Sequence, residues 1–176
     1  MMKLDTRVLI MLSLLVGIGA VLHIVSPPAL FGMKLDMLLV MMFIGILLFP
    51  QLPYVMLLSL VTGAIAAITT TFPGGQLANI IDKPLTALVV FALLKATQKV
   101  ANKKVLASVL TFIGTVISGS IFLFIGLIVL GAEGGFLALF TAIVLPTAVI
   151  NTVLMTIIYP IVQQIFSRTS LSQKAA

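Results

Sequence analysis

Long apolar runs alternate with short polar breaks along this chain, and the runs have the length of membrane crossings. About 20 apolar residues rising ~1.5 Å each cover a ~30 Å hydrocarbon core. The first run, Val8 to Val25, carries no formal charge. It predicts a helix over 8–25, ended by Pro27 and Pro28. A second is predicted over 33–49, stopped by the turn Pro50-Gln51-Leu52-Pro53, and a third over 54–71. The stretch TFPGGQLANIIDKP then reads as an irregular loop, because Pro73, Gly74 and Gly75 are turn formers. Pro84 is a favoured first-turn residue and opens a fourth helix over 84–97. A fifth spans 105–130 and a sixth 136–166, separated by Gly131-Ala132-Glu133-Gly134-Gly135. Pro146 and Pro160 are sites where the sixth can kink or divide. The first run is not followed by a small-x-small cleavage site, and more spans come after it. It therefore reads as a retained helix and not a secretion signal.

Composition makes lipid the solvent. Hydrophobic residues are 61% of the chain and charged residues 8%, against about 25% charged in soluble domains. The expected fold is an all-α integral membrane protein, one transmembrane domain over 1–176 in the lipid bilayer. The absence of Cys excludes disulfides and thiolate metal sites, and a single His excludes a multi-histidine centre. No metal and no cofactor are expected. The net charge of +6 is explained by placement. With six spans both termini share a side, which holds Lys3, Arg7, Lys95, Lys99, Lys103, Lys104, Arg168 and Lys174. The other side holds Lys34 and Lys83. Basic residues mark the cytoplasmic face, so both termini are expected in the cytoplasm and no nucleic acid is implied.

The outer side collects Lys34, Asp36, Asp82, Lys83 and Glu133, charges of both signs in separate loops. A zwitterion needs a cation for its carboxylate and an acid for its ammonium. The charge-free stretch Met37 to Phe49 is too short to cross alone, and only 11 residues separate Lys83 from Lys95, which can snorkel to the cytoplasm; Asp36 and Asp82 are therefore expected below the outer surface. Acids at that depth usually face a partner or a watery cavity. The bland alternative is a set of interfacial caps with a local Asp82–Lys83 pair. His23 lies near the outer end of the first helix, and Gln76 and Asn79 bring amides beside Asp82. Asn151, inside the last span, must find a polar partner in lipid; it reads as helix-packing glue. Small residues four apart, at Ser13 and Gly17, Gly63 and Ala67, and Gly114 and Ser118, allow close helix contacts. No GxxxxGK[ST], HExxH or GxSxG motif occurs, so neither ATP hydrolysis by a phosphate loop nor an enzyme is expected. No acid falls inside a predicted span, so no proton relay is expected either.

Three segments carry a resemblance: GIGAVLHIVSPP at 17–28, GMKLDMLLVMMFIGILLFP at 32–50 and VTGAIAAITTTFPGGQLANIIDKP at 61–84. They resemble bacterial tryptophan-transport proteins of the TrpP type. The resemblance implies a small substrate-capture subunit of an energy-coupling-factor (ECF) importer in the bacterial cell membrane. Its partners would be a shared transmembrane coupling subunit and two ATPase subunits. The competing reading is a stand-alone secondary transporter driven by an ion gradient. A non-transport scaffold is the third. The ECF resemblance assigns Ser13 and Gly17 to partner docking. For tryptophan it implies apolar walls from Phe31, Met37 and Phe72. Asp36 or Asp82 would take the ammonium, and Lys34 or Lys83 the carboxylate. His23, Gln76 or Asn79 would accept the indole N–H.

Overall fold

The computed structural model describes residues 4–26, 36–97, 102–131 and 134–168. Among these there is no strand, and six helices form the molecule. Helix α1 is Thr6–Val25, α2 Met37–Leu48, α3 Leu52–Thr69 and α4 Gly75–Ala96. Helix α5 is Lys103–Val129, its last stretch Phe124–Val129 being π-helical. Helix α6 is Phe136–Ser167 with a π-helical insert at Phe140–Val144. All except α2 are long and apolar enough to cross a membrane. The expected all-α membrane bundle of about six helices is what the chain forms.

Contacts at the two ends of the bundle fix its up-and-down order. At one end the Asp5 amide donates to Tyr54 Oη at 2.8 Å, joining the start of α1 to the start of α3. Phe49, after α2, stacks edge-on with Tyr54 and with Phe166 of α6, at 6.3 and 5.2 Å between ring centres. This end therefore carries the start of α1, the end of α6 and the described basic residues Arg7, Lys95, Lys103, Lys104 and Arg168. The other end holds the close of α1, α3 and α5 and the start of α2, α4 and α6.

The shortest helix is the most buried. Helix α2 has 12 residues, and every one from Leu38 to Ile46 is inaccessible. An all-round apolar helix belongs in the interior. Protein and not lipid surrounds it, so it need not span the membrane: its 12 residues cover about 18 Å at ~1.5 Å per residue. Its first residue follows Asp36, whose side chain caps the helix by accepting from Leu39 N at 3.1 Å. The short length thus holds an acid inside the bundle, above which the longer helices continue.

Helix α4 corrects the sequence reading. It begins at Gly75 and not near Pro84, so Gln76, Asn79, Asp82 and Lys83 are helical and not in a loop. Gly74 caps the helix with a φ of 73°, in the left-handed region that glycine adopts without strain. Pro84 sits inside, which membrane helices tolerate when neighbours satisfy the freed backbone. The inward face runs Gly75, Ala78, Asn79, Asp82, Lys83, Thr86, Ala87, Val90. That is helical spacing, but with polar residues on the buried side. A second correction follows: Asp82 lies within a membrane-length helix and is inaccessible. Helix α6 is not divided at Pro146 or Pro160: it runs on as one helix, and its irregularity is the π-helical turn Phe140–Val144 that precedes Pro146.

Candidate functional site

At the end opposite the start of α1 and the close of α6, the helix ends surround a cavity. Its lining includes His23 of α1, Asp36 and Leu39 at α2, Thr70 and Phe72 after α3, and Asn79 and Lys83 of α4. From α5 come Thr115, Ser118, Gly119 and Phe122, and from α6 Ile143, Val144 and Thr147. The free volume is about 70 Å³, room for a few water molecules.

The charged floor is built from three helices. Lys83 Nζ donates to Asp36 Oδ2, and to Asp82 Oδ2 at 2.8 Å. Ser118 Oγ of α5 donates to Asp82 Oδ2 at 2.7 Å, and Thr86 Oγ1, one turn along α4, donates to Asp82 Oδ1 at 2.7 Å. Lys83 also reaches Ser118 Oγ at 3.5 Å. Asp36 Oδ1 lies 3.9 Å from His23 Nδ1. Burial explains this density of partners. A charge removed from water needs a counter-charge and hydrogen bonds for its remaining sites. With all three groups ionised, two carboxylates face one ammonium, an excess of one negative charge.

The rest of the lining divides by chemistry. Phe72 is buried and packs against Phe122 with 5.3 Å between ring centres and planes tilted by 58°. With Leu39, Ile143 and Val144 these rings form an apolar wall. Asn79 donates to Gly75 O at 2.9 Å and Ala66 O at 3.4 Å, tying α4 to α3 at the border of the cavity. Asn151 donates weakly to the Asp36 carbonyl and to Thr115 Oγ1, each at 3.4 Å, and its own Oδ1 has no hydrogen-bond partner. It joins α6 to α2 and α5, the interhelical role expected of it.

The structure brings His23, Asp36, Phe72, Asn79 and Lys83 to one cavity. Asp82 stands behind Lys83, outside the lining. Gln76 is exposed and Met37 half-buried, both outside the lining. Phe31 and Lys34 lie outside the described residues. Ser13 and Gly17 are exposed on α1, where a Cβ on Gly17 would meet nothing within 4 Å. The contributions of α5 and α6 were not foreseen. Their signal was the polar series Thr111, Thr115, Ser118 and the pair Thr147, Asn151, each at helical spacing inside an apolar span.

Over residues 5–167 the chain matches the family described as tryptophan transporter TrpP. A probable tryptophan transport protein of Bacillus subtilis is 51% identical over 98% of this chain and 99% of that protein. Its counterpart in Clostridium acetobutylicum is 43% identical over 93% of this chain and 95% of its own. One from Clostridium perfringens is 34% identical over 95% and 97%. No solved structure matches this chain.

Proposed function

The chain belongs to the tryptophan transporter family TrpP, and we propose that it captures tryptophan in the cavity at the end of the bundle remote from the start of α1. The observation that carries this reading is the meeting of an aromatic wall, Phe72 and Phe122, with a floor of paired charges, Asp36 and Lys83. An indole suits the first and the two charges of an α-amino acid suit the second. His23 and Asn79 border the same space and are the acceptors for the indole N–H. Pockets for small molecules run to about 300–1,000 Å³, so capture widens the cavity. The π-helical segments of α5 and α6 adjoin Phe122 and include Val144. Such segments recur at functional sites, and they are the part of the wall that moves. The basic end faces the cytoplasm by the positive-inside tendency, which opens the cavity to the outside and makes the direction import.

Energy for import comes, in this reading, from an ECF-type coupling subunit and two ATPases, since the chain has no phosphate loop of its own. The outward-facing small residues Ser13 and Gly17 on α1 then dock the coupling subunit. A second reading is favoured by one observation. Asp82, an acid sealed inside a membrane-length helix, is the type of residue that carries protons in ion-coupled transporters. Uptake of labelled tryptophan into vesicles separates the two. Vesicles with this protein alone are expected to stay empty, and those with coupling subunit, ATPases and ATP to fill. Gly17→Leu is expected to retain binding and lose ATP-driven uptake. Accumulation by the protein alone under a proton gradient would reject the motor and establish the second reading.

A further inference from the structure

The two acids on the cavity floor are not equivalent, and the difference bears on how a zwitterion is recognised. This inference rests on the tryptophan reading of the cavity. Asp82 is saturated: Thr86, Ser118 and Lys83 supply its oxygens at 2.7, 2.7 and 2.8 Å, and its side chain is 0% exposed. Asp36 is 19% exposed on its side chain and lines the cavity. One of its oxygens caps α2 and the other takes Lys83. Lys83 therefore has a fixed partner below and an accessible one beside the cavity.

The geometry points to an exchange of partners: the tryptophan ammonium replaces Lys83 on Asp36, while the tryptophan carboxylate replaces Asp36 on Lys83. Lys83 stays tethered to Asp82 and Ser118 throughout. No bond is made or broken and no proton moves. One internal ion pair opens and two pairs to the substrate form. A zwitterion brings no net charge, so the low-dielectric floor keeps its overall charge while Asp36 and Lys83 each gain a new partner. Asp82 is a positioning residue in this scheme. It holds the ammonium of Lys83 at the floor after Asp36 has let go.

Ligands with half the charge set should reveal the exchange. Tryptamine lacks the carboxylate, so Lys83 gains nothing for the loss of Asp36. Indole-3-propionate lacks the ammonium and adds a carboxylate where acids already outnumber cations. The protein has no Trp, so indole emission reports each ligand directly. A hydrogen-bonded charge contact is worth roughly tenfold to a hundredfold in affinity. Tryptamine is therefore expected to bind about tenfold more weakly than tryptophan, and indole-3-propionate about a hundredfold more weakly. Asp82→Asn removes one negative charge and should narrow the gap between tryptophan and indole-3-propionate by about tenfold. A merely structural loss would weaken both alike. The wild-type series decides the matter even if the variant does not fold. Tryptamine binding as tightly as tryptophan would overturn the exchange and leave the indole site standing. Failure of all three to bind would overturn the site and the exchange together.

Discussion

Replacing Lys83 by methionine is expected to destabilise the bundle by about 3–5 kcal/mol, the usual consequence of removing one member of a buried ion pair. Methionine keeps the length and the apolar stem of lysine and deletes only the ammonium. Lys83 is 2% exposed and serves both acids of the floor. Without it Asp82 is left with two hydroxyl donors and no counter-charge. For a chain of this size the melting temperature should fall by on the order of 10 °C. Tryptophan binding should be lost as well. Adding Asp82→Asn to Lys83→Met removes the stranded charge and should recover most of the stability but none of the binding. Thermal unfolding in detergent, with a binding assay on the same preparations, checks both parts. A Lys83→Met variant that melts like the wild type would mean that no ion pair holds this floor.

A leucine in place of Gly63 should act at a distance from the cavity with nearly as large an effect. A Cβ at this position would lie 3.1 Å from the backbone oxygen of Asn79, 3.4 Å from Cβ of Lys83 and 3.6 Å from Cα of Ile80. The neighbour is helix backbone, which cannot rotate away. Leucine must push α4 from α3, and overpacking of this kind costs about 1–3 kcal/mol. The shift breaks the contact of Asn79 with Ala66 O and draws Lys83 from Asp36. Binding should weaken at least tenfold, on the scale of about 1.4 kcal/mol per factor of ten. Gly17→Leu is the control. It too belongs to a pair of small residues four apart but has nothing within 4 Å, and it should leave melting and binding where they were. Equal effects of the two substitutions would show that close approach of α3 and α4 does not position the floor.

The sequence made some of this legible and hid the rest for identifiable reasons. Apolar length alone located α1, α3 and the two long C-terminal helices to within a few residues. The shortness of the Met37–Leu48 run already implied that Asp36 lies at depth, because a helix that cannot cross carries its cap inward. Helix α4 was misread at its start because hydropathy treats polar residues as exposed. Here Asn79, Asp82, Lys83 and Thr86 turn toward neighbouring helices, and Leu77, Ile80 and Ile81 face outward. A polar stripe at helical spacing was the better signal than a proline at the apparent boundary. The pairing of Asp36 with Lys83 joins residues 47 apart, and only the packing of α2 against α4 creates it. Ser118 read only as a small packing partner of Gly114, and hydropathy did not single out Thr115 or Thr147; the neighbouring helices place all three on the cavity.

On the proposed reading the Asp36 floor, and no other polar region, receives the indole amino acid. Titration of tryptophan against three purified proteins, followed by its own emission, tests this most directly. Wild type and Lys104→Gln, altered at the opposite end of the bundle, should give the same saturable blue shift. Asp36→Asn should fold, by its melting curve, and show at least a tenfold weaker response. Full-strength binding to Asp36→Asn, or its loss in Lys104→Gln, would place the site elsewhere and contradict the account.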